Sequence, residues 1–208
     1  GTDCQGHGTH VAGTVAGTKF GVAKAASIVP VRVLSCSGSG STSGILKALD
    51  WILANHPAGT PGLVSMSLGG PGQTLFNAGI KKVYDAGILP IVAAGNSNAN
   101  ACNYSPARVN GTNIYTVSAI NSSDVFAVFS NFGNPPVDFA EPGSAINSTW
   151  INSSYNTISG TSMAVNISPS QVRDQWFPEK VLRTLRETGF PAQRLEIEVT
   201  ESAMIGDV

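Results

Sequence analysis

The first segment with chemical potential reads GHGTHVAG over residues 6–13 and runs into a helical pattern. It places His7 at the predicted first turn of a helix, between glycines that allow another chain segment to approach closely. A histidine held in this way suits a general base, because its ordinary pKa lies near neutral pH. His10 lies one turn further on and is predicted to be structural. A lone histidine in a helix is usually structural, so this segment alone indicates little.

Two later segments supply a candidate nucleophile and a candidate donor to an anion. ISGTSMA (158–164) places Ser162 at a predicted strand-to-helix turn, where its N–H would help to form an anion site. IVAAGNSN (91–98) places Asn96 directly after a strand and a glycine, where its amide could donate to an oxyanion. SMSLGG (65–70) could pair its backbone with an extended peptide. Taken alone, the serine segment is better explained as a plain Ser/Thr-rich turn.

The elements that must position these residues alternate between apolar strands and amphipathic helices. Strands are predicted at Ser27–Val33, Leu63–Met66 and Ile88–Ala93, and helices at Ser43–Asn55, with Ser43 as N-cap, and at Thr74–Ala86, ended by Gly87. This alternation predicts a parallel sheet that is covered on both faces. In such sheets ligands gather at the carboxyl ends of the strands, which is where the polar residues 65–70 and 93–98 fall.

Composition excludes several classes of function. A net charge of −1 provides no field that would attract nucleic acid or an anionic membrane. No apolar run is long enough to predict a membrane-spanning helix. Abundant Gly, Ser and Asn with few Lys and Arg are typical of a secreted protein. Three cysteines are too few for a small disulfide-framework protein.

The composition changes abruptly near residue 164. Residues 1–164 contain 13 charged residues and 21 of the 23 glycines, whereas residues 165–208 contain 12 charged residues and two glycines. This change predicts a domain boundary. The alternative is an amphipathic C-terminal helix that belongs to the same domain.

Taken in order, the segments of residues 1–164 closely resemble the subtilisin-like serine proteases, and most closely the proteinase K and aqualysin branch. The resemblance rests on GHGTHVAGT, PVRVL, SGSGSTSG, SMSLGG, IVAAGN, NYSPA, SNFG and SGTSMA. It implies an α/β, three-layer fold with a parallel sheet. It also implies a secreted serine endopeptidase that acts on polypeptides and needs no cofactor for catalysis.

The resemblance assigns a role to each site residue. His7 becomes the general base and Ser162 the nucleophile, while Asn96 and the Ser162 N–H form the oxyanion hole. Three segments would bind the substrate: Ser67, Leu68 and Gly69 on one side, Gly38, Ser39 and Gly40 on the other, and Ala93, Ala94 and Gly95 as walls of the S1 pocket. Small walls imply a broad preference that tolerates apolar residues.

The resemblance also concerns cysteines and a metal. It pairs Cys4 with Cys36 as a disulfide and leaves Cys102 as a free thiol, since Pro135 and Pro136 occupy the segment where its partner would lie. Asp138 matches a calcium-ligand aspartate found in part of the branch, so calcium is predicted only as a structural ion.

The chain departs from the family at both ends. The family's triad aspartate lies upstream of the histidine motif in an Asp-[Ser/Thr]-Gly setting, and no such motif occurs in these 208 residues. Removing that aspartate lowers turnover by about 10⁴-fold in serine proteases of this kind. After Ser162, the sequence VNISPSQ brings Pro169 where the family has a long helix. The protease part is therefore expected to be incomplete, and its activity doubtful.

The tail resembles a different family, the EAL-type cyclic di-GMP phosphodiesterases. The match rests on VNISPSQVRD, a predicted helix over 178–189, and FPAQRLEIEVTESAMIGD. It implies a β-α-β piece of a TIM-type barrel in which Asn166 and Glu198, with Glu201 nearby, would be remnants of a metal site. The alternative is that Leu195–Val199 forms an ordinary alternating edge strand.

Two partial domains are therefore predicted, a peptidase over 1–164 and an EAL-like fragment over 165–208, joined artificially at Ala164–Val165. The leading function is serine endopeptidase. The alternatives are an inactive chimeric chain and the remnant of a cyclic di-GMP phosphodiesterase. Polypeptides are the predicted partners, with neither nucleic acid nor a membrane, and the sequence predicts no oligomeric state.

Overall fold

The computed structural model describes residues 2–165 of the chain. The helices are α1 (His7–Ala16), α2 (Thr42–Asn55), α3 (Thr74–Asp85) and α4 (Thr161–Ala164). The strands are β1 (Leu63–Met66), β2 (Gly70–Pro71), β3 (Leu89–Ala93), β4 (Tyr104–Ser105), β5 (Tyr115–Ile120), β6 (Phe139–Pro142), β7 (Ile146–Trp150) and β8 (Ser154–Ile158). A short 3₁₀ helix, Ala101–Asn103, precedes β4.

Four strands form a parallel sheet in the order β1-β3-β5-β6. Adjacent residues of β3 point to opposite faces, as the alternation of a strand requires. Val92 packs with α2 and α3 in one hydrophobic core, whereas Ala93 packs with Ala164 and Val165 in a second. The two cores therefore lie on opposite faces, and the predicted α/β fold with a covered parallel sheet is confirmed.

The antiparallel hairpin β7–β8 connects the two ends of the described chain. Ser148 and Thr149 of β7 donate hydrogen bonds to the backbone oxygens of His10 and Thr9 in α1, both at 2.9 Å. The fully buried His10 ring returns a contact, with its Nε2 3.1 Å from the carbonyl oxygens of Ile146 and Asn156. Since β8 leads into α4, this hairpin ties the His7 helix to the Ser162 helix.

Most of the predicted elements are confirmed, within a residue or two of their predicted ends. Leu63–Met66 is β1, and α3 ends before Gly87, whose φ of 81° suits a residue without a side chain. The N-cap prediction for α2 is wrong, because Ser41 rather than Ser43 accepts the hydrogen bond from the Gly44 N–H at 3.1 Å. A cap lies outside the first helical residue, and here that residue is Thr42.

The predicted buried strand Ser27–Val33 is wrong. These residues form no regular structure, and Val29 is 68% exposed. An apolar run becomes a strand only where a neighbouring strand accepts its hydrogen bonds, and β1 pairs only with β3 within the described residues. The run therefore has the composition of a strand but no partner strand among the described residues.

Predictions for the tail, including the helix over 178–189, Asn166, Glu198 and Glu201, lie outside the described residues. Between residues 2 and 165 no helix is long and apolar enough to cross a membrane.

Candidate active site

His7 opens helix α1, and the loop in front of it is held from two sides. Gly6 has a φ of 105°, and a side chain added there would overlap the Trp150 indole of β7. On the other side the Asp3 carboxylate accepts hydrogen bonds from the Gly6 N–H at 2.9 Å and from Thr9. The glycine is required because the loop both turns left-handed and lies flat against an aromatic ring.

The protonation of His7 is opposed by its surroundings. Burial lowers the pKa of the His7 imidazole below its ordinary value, and neighbouring His10 adds to this effect, while the Asp3 charge acts in the opposite direction. The neutral form therefore dominates at neutral pH, which is the form that accepts a proton from a hydroxyl.

Ser162 lies in the first turn of α4, directly after β8, at the predicted strand-to-helix turn. Ser162 is 8% exposed, so neighbouring residues cover most of it. The backbone oxygen of Ser162 accepts a hydrogen bond from the Ser67 hydroxyl at 3.0 Å. The Ser162 Oγ lies 3.5 Å from the backbone oxygen of Ser67. Helices α1 and α4 are in contact, which brings the elements carrying His7 and Ser162 side by side.

Asn96 is anchored to the residue before Ser162. Its Oδ1 accepts from the Thr161 N–H at 2.8 Å and from the Thr161 hydroxyl at 3.0 Å. Because both partners are donors, the oxygen must face Thr161 and the NH₂ group must face away from it. That NH₂ group lies against Gly160, where an added Cβ would be 3.3 Å away. The amide is thus presented beside Ser162 with its hydrogens available.

A buried residue outside the predicted set shapes the loop that carries Asn96. Asn131, which is fully buried, donates to the Ala94 oxygen at 2.8 Å and accepts from the N–H groups of Ser97 at 2.9 Å and Ala99 at 3.1 Å. It also lies so close to Gly95 that any side chain there would overlap it. One side chain therefore satisfies the backbone on both sides of Asn96.

The predicted substrate-binding residues fall into three places. Ser67–Gly69 follows β1 and passes beside Ser162. Gly38–Gly40 forms an exposed turn in which the Ser39 oxygen accepts from the Ser35 N–H at 2.8 Å. Ala93 and Ala94 are buried at the end of β3, and Gly95 donates to the Thr161 hydroxyl at 3.1 Å. The first and third segments thus meet at α4.

The Gly38–Gly40 turn is connected to the loop before His7. The predicted disulfide Cys4–Cys36 is present and joins the residues just before His7 to the residues just before the turn. Cys102 is a free thiol, as predicted.

Asp138 lies just before β6, and its Oδ2 accepts from the Thr116 N–H at 2.8 Å. The residue as a whole is exposed, yet enough protein surrounds its carboxylate that desolvation raises the pKa of Asp138 to about 6. No group of three or more His, Cys, Asp or Glu side chains in the described part of the chain could hold a metal ion. A metal at Asp138 would therefore need further oxygen ligands from the backbone, from amide or hydroxyl side chains, or from solvent.

Comparison with known proteins places this site in a family. The profile of the subtilase family (peptidase S8) matches residues 1–165. The chain belongs to the subtilase family. The chain and the alkaline serine exoprotease A of Vibrio alginolyticus are 48% identical over 186 residues, covering 82% of this chain and 34% of that relative. The extracellular serine proteinase of Thermus sp. (strain Rt41A) is 48% identical over 180 residues, covering 85% of this chain and 43% of that relative.

A solved structure shows the same fold. A cold adapted subtilisin-like serine proteinase superposes with a TM-score of 0.75 at 42% identity, covering 98% of this chain and 72% of that one. The fold is therefore the α/β subtilisin-like fold. The chain nevertheless spans only about a third to two-fifths of the length of the two curated subtilases.

Four residues that matter to the site had no assigned role in the sequence: Asp3, Asn131, Trp150 and Thr161. Each acts by supporting another residue rather than by chemistry of its own. Asn131 stands inside the SNFG motif, so the motif was visible while its function was not. A supporting role depends on the identity of a distant partner, which residue type and spacing do not reveal.

Proposed function

We propose that this subtilase chain is a serine-type endopeptidase that acts on polypeptides, with Ser162 as nucleophile and His7 as general base. The observation that carries the proposal is the anchoring of Asn96 by Thr161, which directs an amide donor to the side of Ser162. The hydrogen bond from Ser67 to the Ser162 backbone and the contact between α1 and α4 support it.

The proposed reaction follows from these positions. Ser162 Oγ attacks the scissile carbonyl carbon while His7 removes its proton. The negative charge that develops on the carbonyl oxygen is stabilised by the Asn96 NH₂ group and the Ser162 N–H, which lies at the first turn of α4. His7 then donates its proton to the leaving amine, and a water molecule hydrolyses the acyl-enzyme by the same steps in reverse.

The substrate is proposed to bind as an extended strand. Ser67–Gly69 leaves β1 beside Ser162 and is the segment best placed to pair with a peptide backbone. Gly38–Gly40 would line the opposite side, and Ala93–Gly95 would form the walls of the S1 pocket. Alanine and glycine walls leave room for a range of apolar side chains, so a broad preference is expected.

Chemical labelling of the full chain tests the proposal directly. A fluorophosphonate reacts with a serine only where a base and an oxyanion site activate it, so one adduct is expected, and peptide mapping should place it on Ser162. Heat-denatured chain is the control and should remain unlabelled. Absence of an adduct, or an adduct that persists after denaturation, would contradict the proposal.

The chain's branch within the family, its location and its domain boundary are further parts of the proposal. The Cys4–Cys36 disulfide supports membership in the proteinase K and aqualysin branch. The name of the Thermus relative supports an extracellular location for this chain. The family profile ends at residue 165, which supports a boundary at Ala164–Val165, although the two curated relatives align over 82% and 85% of the chain and so extend past that residue. The EAL-type interpretation of 165–208 finds no support in these comparisons. Amplifying the source DNA across that codon boundary tests the proposed artificial join, and a single native product would refute it.

Calcium at Asp138 is the remaining part of the proposal. Desolvation raises the pKa of Asp138 to about 6 from an ordinary value of 3.8, so the folded protein holds the proton more tightly than the unfolded chain does. Stability from this group is complete below pH 3.8 and is lost as the pH rises through about 6. At pH 7 the ionised carboxylate therefore destabilises the fold, and a bound cation would offset that effect.

Thermal unfolding at pH 7 separates the two contributions. Calcium at about 100 times its Kd should stabilise the wild-type chain by about 2.7 kcal/mol relative to EDTA, by mass action. Asp138→Asn should lose this response and, in EDTA, should be at least as stable as wild type. Asp124→Asn, which neutralises another exposed aspartate, should keep the response. Equal calcium responses in all three chains would exclude a site at Asp138.

A further inference from the structure

Asp3 makes a dense set of hydrogen bonds for a single surface-proximal carboxylate. Its Oδ1 accepts from the N–H groups of Gln5 and Gly6, both at 2.9 Å. Its Oδ2 accepts from the Thr9 N–H at 2.9 Å and from the Thr9 hydroxyl at 2.7 Å. Burial opposes ionisation, but the hydrogen bonds from Gly6, Thr9 and Gln5 outweigh it and hold the pKa of Asp3 well below its usual range. The carboxylate is thus charged and fully engaged.

These bonds span the loop that delivers His7 to the start of α1. The N-cap residue Gly6 has no side chain to satisfy the first N–H groups of the helix, and Asp3 satisfies that of Thr9 from outside. The Trp150 indole closes the other side of the loop at Gly6. Between the carboxylate and the indole, the backbone from residue 3 to residue 9 is held on both sides.

The Asp3 carboxylate also counters effects that disfavour a positive charge on the His7 imidazole. A helix N-terminus disfavours a positive charge, and α1 has no acidic residue in its first turn to compensate. Burial and His10 likewise disfavour the imidazolium form of His7. Of the elements packed against α1, β7 (INSTW) and α4 (TSMA) carry no titratable side chain, and β8 carries Tyr155. The Arg32 guanidinium donates to the Thr2 oxygen at 2.9 Å, next to Asp3, and is the positive charge beside this loop. Among the described residues, Asp3 is the carboxylate whose charge opposes these effects.

We propose that Asp3 is a positioning residue for His7: its carboxylate holds the histidine loop in place and its charge stabilises the imidazolium that forms during proton transfer. Because its oxygens are occupied by four donors, it acts through the loop and through its field, and not as a proton acceptor. The catalytic consequence rests on the proposed function, since imidazolium forms during turnover only if His7 removes a proton from Ser162. The electrostatic effect of Asp3 on His7 does not depend on the proposed function.

Histidine titration by NMR tests this independently of activity. The full chain has three histidines, so the His7 signal is assigned by its disappearance in His7→Gln. In Asp3→Asn and in Asp3→Ser, the midpoint of the His7 titration should move to lower pH. Asp50→Asn removes the same charge from an exposed position on α2 and should leave it unmoved. Asp3→Ser offers a small neutral side chain whose oxygen can still accept from the loop.

The outcomes separate clearly. A His7 midpoint that is the same in the Asp3 variants as in Asp50→Asn would overturn the proposal. Loss of a folded amide spectrum in both Asp3 variants would assign Asp3 a general structural role and would overturn it as well. Where peptide hydrolysis is measurable, Asp3→Asn should lower kcat by about tenfold with little change in KM, and should shift the acid limb of the pH profile down. A chain without hydrolysis would contradict the proposed function while the NMR result still decides the role of Asp3.

Discussion

Replacing Ser162 or His7 with alanine is expected to reduce peptide hydrolysis to nearly the same residual level, and replacing both should reduce it no further. The two side chains act as one unit, because the hydroxyl is a weak nucleophile unless the imidazole removes its proton. In subtilisin, a member of this family, loss of either such residue costs about 10⁶-fold in kcat and loss of the triad aspartate about 10⁴-fold. Since these 208 residues contain no Asp-[Ser/Thr]-Gly motif, the expected loss for each variant of this chain is about 10²-fold. Turnover of a fluorogenic peptide by the single and double variants measures the effect.

The controls for this cycle are a serine and a histidine elsewhere on the molecule. Ser122→Ala alters an exposed loop, and His56→Gln alters the residue that follows α2, and both should retain wild-type turnover. A double variant whose loss equals the product of the two single losses would show that Ser162 and His7 act independently. That result would contradict the proposed mechanism.

Asn96→Asp is expected to lower kcat by about 10²- to 10³-fold with little change in KM, because it removes a donor that acts mainly on the transition state. The carboxylate can still accept from the Thr161 N–H and hydroxyl, so the loop should keep its place. What changes is the group presented beside Ser162, which becomes an acceptor instead of a donor. Steady-state kinetics on the same peptide separates kcat from KM.

Asn98→Asp is the matched control, since it makes the same chemical change two residues away at an exposed position. It should leave kcat within a small factor of wild type. If Asn96→Asp raised KM and spared kcat, Asn96 would contribute to substrate binding and not to an oxyanion hole. Equal effects of the two substitutions would point to net charge as the cause.

The helices and the central strands were predictable because their signals are local. The spacing of apolar residues in α2 matches the face it buries, with Ile45 and Leu49 in the core. The nearly continuous apolar run of β3 matches a strand buried on both faces. His7 was placed at a helix start because the GHGTHVAG motif runs directly into a helical pattern. In each case the residues themselves carry the preference.

Ser27–Val33 is a segment for which local composition led to a wrong prediction. Its composition is that of a strand, yet a strand is a property of two segments, and the described structure provides no hydrogen-bonding neighbour for this one. The prediction of the α2 N-cap residue was wrong for a related reason. Ser41 and Ser43 are both good caps, and only the position at which the chain enters the helix decides between them.

The sequence by itself determined which residues could do the chemistry, the strand–helix alternation and the family, because residue type and order suffice for those. Only the tertiary structure decided which residues support them. Asn96 and Thr161 are 65 residues apart in the chain, Ser67 and Ser162 are 95 apart, and each pair is joined by hydrogen bonds. Such contacts depend on how the sheet, the hairpin and the helices pack, and packing is set by the whole fold. His7, Asn96 and Ser162 could therefore be proposed as site residues from the sequence, whereas the contacts of Asp3, Trp150, Asn131 and Thr161 could not be foreseen.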